Sequence, residues 1–187
     1  MKRRLYILAG HTNDPTSDEG AVSDNANIHY IEGKLTVELR DLIVKELNLM
    51  DAIVYTDANP LSLNKVILWL KKILKISDVV LDLHFNSFSS TKANGTEVII
   101  PNTPSNFEKT LALELVSAVS GNLNIKNRGV KSEKESAHGK LAIMQLNCET
   151  VLLEVCFLSN PQDMINYTKF KKVLAFKLAN LLYKYIR

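Results

Sequence analysis

Short apolar runs alternate with longer amphipathic segments along the whole chain. The apolar runs have the length and the composition of buried strands. We predict strands at 5–9, 52–56, 79–83, 96–100, 141–144 and 151–155. In the longer segments apolar residues recur with helical spacing, which predicts helices that bury one face. These helices cover 25–48, 63–74, 106–119 and 170–185.

Strands and helices follow one another in the order that is typical of α/β proteins. We therefore predict a single three-layer α/β domain, in which a mostly parallel, mixed sheet of about six strands is flanked by helices. The third helix begins with a capping box, Ser105 followed by Glu108. The polar segments 11–24 and 124–140 are expected to be loops. Because 187 residues suit one domain, we expect residues 1–187 to form it without a second module.

Composition and charge exclude several classes of protein. With 46% hydrophobic and 23% charged residues, the chain is expected to have a packed core. Its net charge of +3 is scattered rather than gathered in a basic stripe, so we expect no nucleic-acid partner. Two cysteines exclude a disulfide-rich scaffold and a four-cysteine zinc cluster.

The apolar runs also bear on membranes and export. No run approaches the ~20 apolar residues of a membrane-spanning helix, so we expect no membrane insertion. The apolar run near the N-terminus is shorter than the roughly 7–15 residues of an export signal. We therefore expect the protein to be made in the cytoplasm without a signal peptide.

Polar side chains stand at the ends of three predicted strands. His11 follows the first strand, His84 follows the third, and Glu154 lies near the end of the last one. In an open α/β sheet, ligands bind beyond the carboxyl ends of parallel strands. These three side chains are therefore expected at one edge of the sheet.

A fourth candidate, Glu32, comes from the first helix. It precedes Leu39 by about two helical turns, so it shares the apolar face that points at the sheet. An unpaired carboxylate there would be costly, and a cation would stabilise it. Two imidazoles and a carboxylate are the ligands of a catalytic zinc site. We predict that His11, Glu32 and His84 bind Zn²⁺ and that Glu154 is a catalytic base that does not bind the metal.

Each of these residues also has a plain structural interpretation. A histidine at the end of a strand is commonly a hydrogen-bonded loop residue, and Glu32 could pair with Lys34 or Arg40 at the surface. Glu154 could pair with a distant lysine. His29, three residues before Glu32, could replace one of the strand-end histidines as a ligand.

Two further residues offer other chemistry. His138 lies in a polar segment and is expected near the substrate rather than on the metal. Cys156 shares its strand face with Glu154, so a Cys–His hydrolase that uses Cys156 and His84 is an alternative. A buried structural thiol is the favoured interpretation of Cys156.

The segments around the candidate residues resemble a known enzyme family. They are similar, in order, to motifs of the zinc-dependent N-acetylmuramoyl-L-alanine amidases of the amidase 3 type. The longest match surrounds Glu154 and resembles the signature of the catalytic glutamate. The matching segments are AGH (9–11), YIEGKLTVEL (30–39), DLHFN (82–86), ANGTEV (93–98), NRGVK (127–131) and LLEVCFLSNPQD (152–163).

This resemblance implies a function and a role for each candidate. It implies hydrolysis of the amide bond between N-acetylmuramic acid and L-alanine in peptidoglycan. His11, Glu32 and His84 would bind Zn²⁺, and Glu154 would be catalytic. The chain would be a catalytic amidase domain without a separate wall-binding domain. Because no export signal is recognised, a phage-type endolysin that other proteins release to the cell wall is the expected kind of lytic enzyme.

The chain departs from the family pattern at two places, and other functions stay open. The opening loop reads Leu8-Ala9-Gly10 where the family has Asp-Pro-Gly, and the charged segment 132–140 is longer. These departures concern the groove, whose substrate-binding residues are not predicted. The alternatives are another zinc peptidase that acts on the stem peptide and a catalytically silent peptidoglycan-binding module. The presence of Glu154 and of all three ligands disfavours the silent module.

Overall fold

A computed structural model describes residues 2–12, 18–25, 28–57, 62–136 and 139–187, without the side chain of Asn25. Within these residues the strands are β1 (Leu5–Ala9), β2 (Val22–Asn25), β3 (Ile28–Ile31), β4 (Val54–Thr56), β5 (Val79–Asn86), β6 (Thr96–Ile100), β7 (Asn127–Ser132) and β8 (Glu149–Phe157). The α-helices are α1 (Glu32–Asn48), α2 (Leu63–Ile73), α3 (Asn106–Leu123) and α4 (Pro161–Ile186). Two short 3₁₀ helices cover Glu133–Glu135 and Ala142–Gln145.

Six strands form one mixed sheet in the order β4-β1-β5-β8-β6-β7. The first four run parallel, β6 is antiparallel to β8, and β7 is parallel to β6. Strands β2 and β3 form a separate antiparallel hairpin. The predicted fold class, a mostly parallel, mixed sheet flanked by helices, is therefore confirmed.

Helices cover both faces of this sheet. In β1, Leu5 and Ile7 point to the face that α1, α3 and α4 cover, whereas Tyr6 and Leu8 point to the face with α2. All four side chains are buried, which explains why β1 is a continuous apolar run rather than an alternating one. No helix in the described ranges is both long enough and apolar enough to cross a membrane.

The predicted helix 25–48 begins later than expected, at Glu32. Residues Ile28–Ile31 are strand β3 instead, and their partner β2 lies in the segment that was expected to be a loop. Ile28 and Ile31 match the helical spacing, but Ile28 is exposed in the hairpin. The first helical residue, Glu32, donates its backbone N–H to Ala21 O, so the hairpin positions the start of α1.

Two further predictions near the C-terminal half are wrong. The predicted strand 141–144 is the 3₁₀ helix Ala142–Gln145, which packs Ile143 and Met144 against the α2 face of the sheet. It cannot join the sheet beside β8, because β5 and β6 already occupy both edges of that strand. The polar segment 124–140 contains β7, an edge strand whose polar composition concealed it.

The turn from β8 into α4 is built around the buried carboxylate of Asp163. Asn160 caps the helix by accepting a hydrogen bond from the Asp163 N–H, and Pro161 occupies the first turn. Asp163 Oδ2 accepts hydrogen bonds from the backbone N–H groups of Gly95 (2.8 Å) and Phe157 (3.0 Å). This carboxylate therefore fastens the end of β8 to the loop before β6.

We predict that Asp163→Ala lowers the free energy of unfolding by roughly 2–5 kcal/mol, because each buried N–H left without an acceptor costs about 1–3 kcal/mol. Urea denaturation measures this change. The matched control is Gln162→Ala, at an exposed position of the same helical turn, which is expected to change stability by less than about 0.5 kcal/mol. Equal stabilities of the two variants would contradict the role assigned to Asp163.

Candidate metal centre

Three elements bring the candidate ligands to the carboxyl edge of the parallel strands. His11 follows β1, and His84 lies in β5, which runs three residues beyond the predicted strand to Asn86. Strands β1 and β5 are parallel neighbours, with Ala9 opposite Leu83. The two histidines therefore lie close together at the carboxyl ends of these strands. Glu32 is the first residue of α1, directly after the hairpin.

The structure brings His11, Glu32 and His84 together around one point. One ligand atom from each of the three side chains lies within 4.8 Å of the other two. Glu32 Oε1 is 3.0 Å from His84 Nδ1, and Glu32 Oε2 is 3.5 Å from His11 Nε2. The two imidazole rings are nearly perpendicular, with centroids 5.1 Å apart. The carboxylate thus lies between two imidazoles, as a metal site requires.

Glu32 is held as a buried anion. Its oxygens accept backbone hydrogen bonds from Ala21 (2.8 Å) and Phe85 (3.0 Å). Burial acts to raise the pKa of Glu32, but the hydrogen bond from His84 and the nearby histidines outweigh it, so the pKa lies below its usual value. The alternative in which Glu32 pairs with Arg40 is not observed. Arg40 Nη1 lies 2.9 Å from Asp57 Oδ1 instead.

Gly10 leaves room for the His84 ring. A Cβ atom added at Gly10 would lie 2.2 Å from His84 Nε2, well inside van der Waals contact. The ring cannot move aside freely, because both of its nitrogens are within hydrogen-bond distance of carboxylates. Gly20 is similarly close to the site and has a positive φ of 74°, a conformation that other residues rarely adopt.

Glu154 lies next to this group on β8. It pairs in register with His84 on one side and with Glu97 on the other. Its Oε2 is buried and has no hydrogen-bond partner among the described residues. Burial, opposed by His84 but reinforced by the charges of Glu32 and Glu97, raises the pKa of Glu154 to about 8. This carboxyl group is therefore suited to take up and release a proton near neutral pH.

The alternative candidates lie elsewhere. His29 is exposed on β3 and lies 2.8 Å from Asp24, outside the three-residue group. Cys156 is buried in the hydrophobic core, where burial raises the pKa of its thiol well above the usual value, so it is no nucleophile. His138 lies outside the described residues.

Two buried carboxylates near the site were not singled out from the sequence. Asp82 Oδ2 lies 3.3 Å from His84 Nε2. Glu97, on β6, lies opposite Glu154 of the neighbouring strand β8. Glu97 Oε2 lies 2.6 Å from both Arg128 Nε and Lys131 Nζ. Burial acts to raise the pKa of Glu97, but these two cations outweigh it and lower that pKa. A charged residue within an apolar strand is the signal that could have identified both carboxylates.

A cavity of about 760 Å³ opens over these groups. Its polar lining includes the two histidines and the carboxylates described above, together with Lys131, which is paired with Glu97. Its apolar part comes from several elements, including α2 and the second 3₁₀ helix. The apolar lining residues are Leu63, Ile99, Leu141, Ala142, Ile143 and Leu152.

The sequence profile of the N-acetylmuramoyl-L-alanine amidases of the amidase 3 type matches residues 5–183. The chain belongs to this amidase family. It is therefore an N-acetylmuramoyl-L-alanine amidase, a hydrolase whose substrate is peptidoglycan, as the motifs predicted. A comparison with curated protein sequences gave no match.

Several solved structures share this fold at low sequence identity. An N-acetylmuramoyl-L-alanine amidase from Clostridium difficile 630 superposes with a TM-score of 0.79 at 19% identity, over 98% of this chain and 96% of that one. Cwp6 from Clostridium difficile gives a TM-score of 0.81 at 21% identity, and the match covers all of this chain but 30% of Cwp6. The catalytic domain of the CD27L endolysin, which targets Clostridium difficile, gives 0.72 at 18% identity, over 96% and 97% of the two chains.

We predict that Gly10→Ala lowers the turnover of this amidase by about 10–100-fold, because a shift of ~1 Å in an active-site group can cost about 100-fold in rate. The added methyl group would displace the His84 ring. Release of amines from peptidoglycan measures the turnover, and circular dichroism measures how much of the protein is folded.

The control for this substitution is Gly121→Ala in α3, where an added Cβ meets no atom within 4 Å. We expect unchanged turnover there and a gain in stability of about 0.5–1 kcal/mol, since glycine is unfavourable within a helix. A folded Gly10→Ala variant with the turnover of the control would show that His84 does not need this space.

Proposed function

We propose that this amidase depends on Zn²⁺ and that His11, Glu32 and His84 hold the ion. The observation that carries the proposal is the convergence of two imidazoles and one anionic carboxylate, with ligand atoms within 4.8 Å, at the wall of the cavity. Zinc favours nitrogen and oxygen donors of this kind and keeps one position open in catalytic sites. Bound there, the ion would supply a Lewis acid that polarises the amide carbonyl and makes water more acidic.

We propose that Glu154 moves the proton in this reaction. Glu154 lies opposite His84 in the β5–β8 pair and lines the cavity, and its Oε2 has no hydrogen-bond partner among the described residues. The carboxylate would first accept a proton from the attacking water. It would then deliver that proton to the nitrogen of the departing L-alanine, which leaves as an amine. A carboxyl group with a raised pKa suits both steps, because it can hold the proton between them.

The cavity suits a muramyl-peptide substrate. Its volume of about 760 Å³ lies within the usual range of about 300–1,000 Å³ for small-ligand sites. Its lining includes both apolar residues, such as Leu63 and Ile143, and charged groups. We propose that the scissile amide lies over the charged groups while the lactyl and alanine methyl groups contact the apolar residues.

We also propose that the enzyme is a cell-wall lytic enzyme of the endolysin kind, made in the cytoplasm and released to the wall by other means. The likeness to the catalytic domain of the CD27L endolysin, with a TM-score of 0.72, supports this proposal. The apolar run at the N-terminus is strand β1, buried in the sheet. It is therefore part of the catalytic fold.

The function is tested by digesting purified peptidoglycan and identifying the new ends by mass spectrometry. We expect free L-alanine amino groups, loss of activity in a chelator, and recovery when Zn²⁺ is added back. New ends within the stem peptide would instead identify a zinc peptidase. Release of no amines would identify a silent binding module, and full activity in a strong chelator would refute zinc dependence.

We predict that Glu154→Gln lowers turnover by about 10²–10⁴-fold, because it removes the group that transfers the proton. The zinc content, measured by elemental analysis, is expected to stay at the level of the unchanged chain, since Glu154 is not among the three ligands.

The matched control for this variant is Glu114→Gln. Glu114 lies on α3, where it pairs at the surface with Lys184, and it is expected to have normal turnover. A Glu154→Gln variant that retained near-normal turnover would remove Glu154 from the mechanism. Loss of zinc from that variant would make Glu154 a ligand.

A further inference from the structure

The imidazole of His84 lies between two carboxylates. Its Nδ1 is 3.0 Å from Glu32 Oε1, and its Nε2 is 3.3 Å from Asp82 Oδ2. Asp82 and His84 are two residues apart on β5, so their side chains emerge on the same face of the strand. Nδ1 of the ring therefore faces Glu32 in the candidate metal centre, and Nε2 faces the second carboxylate, Asp82.

The two nitrogens of a neutral imidazole have different roles. When Nδ1 binds a metal ion, the proton lies on Nε2, which then acts only as a donor. An acceptor at Nε2 fixes this tautomer and the orientation of the ring. In this structure the atom at that position is Asp82 Oδ2.

We propose that Asp82 is a positioning residue for the metal centre: it accepts a hydrogen bond from His84 Nε2 and thereby holds Nδ1 toward the ion. This inference rests on the proposed function, since it assumes that His84 is a ligand. Asp82 acts through His84 and is not one of the three proposed ligands.

The surroundings of Asp82 leave its carboxylate available for this role. Asp82 is 5% exposed, and His84 is the partner of its side chain among the described residues. Asp57, a buried acid on which the charge of Asp82 acts, has partners of its own, because it accepts hydrogen bonds from Arg40 Nη1 (2.9 Å) and the Ala9 N–H (3.2 Å). The absence of a side chain at Gly10 leaves room for the Nε2 side of the ring.

His11 offers a comparison within the same site. Its Nδ1 lies 3.1 Å from Asp18 Oδ1, yet the two atoms lack the alignment of a hydrogen bond, and the Asp18 side chain is 70% exposed. A contact to an exposed carboxylate contributes little, because water competes for the Asp18 oxygens. The Asp82 contact is buried, and so we expect a marked difference between the two acids.

The experiment measures the zinc affinity of the full chain by competition with a chromogenic chelator. We expect Asp82→Leu to weaken zinc binding by about 10–100-fold, as loss of a partner behind a ligating histidine typically does. Asp82→Asn keeps an oxygen acceptor and is expected to retain most of the affinity. Asp18→Leu, the matched control, is expected to bind zinc as tightly as the unchanged chain.

Nitrogen NMR of His84 in the zinc-bound protein gives a second readout that a merely structural role would not move. We expect a protonated Nε2 in the unchanged chain and in Asp82→Asn. In Asp82→Leu we expect this proton to exchange faster with water. In the unchanged chain we expect this proton to exchange slowly with water, and fast exchange there would contradict the hydrogen bond to Asp82 even where Asp82→Leu fails to fold.

The outcomes separate this inference from the function on which it rests. If the unchanged chain binds no zinc, the proposed metal centre fails whatever Asp82 does. If it binds zinc and folded Asp82→Leu binds equally tightly, the role of Asp82 is refuted alone. A zinc-bound His84 with its proton on Nδ1 would also refute it. An Asp82→Asn variant as weak as Asp82→Leu would show that Asp82 contributes charge or ligation instead of a hydrogen-bond acceptor.

Discussion

The candidate metal centre depends on one buried anion, the Glu32 carboxylate at the first residue of α1. A carboxylate at 4% exposure is tolerated only when every direction around it supplies a donor or a positive charge. Here the donors come from the loop before the hairpin, from the end of β5 and from two imidazoles. Glu32 therefore joins four separate pieces of chain, and its position decides where the two histidines can lie.

The charges around this anion are arranged so that one acid stays without a partner. Asp57 is paired with Arg40, and Glu97 is shared between Arg128 and Lys131. Among the described residues no lysine or arginine pairs with Glu154, and of these three acids it alone has a pKa raised to about 8. This difference supports the proposal that Glu154 carries the proton, whereas the paired acids have structural roles.

The sequence predicted the elements whose surroundings are uniform. The strands at 5–9 and 96–100 were predicted with their observed bounds, since both faces of each are buried. The start of α1 was misplaced, because Ile28 and Ile31 fit a helical period although they belong to the hairpin. Strand β7 was missed because an edge strand needs few apolar residues. Both errors have the same cause: the local sequence pattern does not show which strands are neighbours in the sheet or hairpin.

The same distinction applies to the site. His11, Glu32, His84 and Glu154 could be singled out because each is a polar residue in an apolar context, and the structure gathers the first three within one small volume beside the fourth. Their roles are predictions that the proposed experiments test. Asp82 and Glu97 could not be assigned a role in the same way, because the partners that give each carboxylate its meaning are defined by strand pairing and side-chain orientation.

The parallel pairing of β5 with β8 has a consequence for how the enzyme matures. These strands are separated by most of the second half of the chain, and they align His84 with Glu154. Contacts between distant segments form late in folding, since closing a long loop is entropically unfavourable. The candidate site is therefore incomplete until β8 has paired with β5. Hydrolytic activity is then acquired late, when the last strand of the sheet has entered its place.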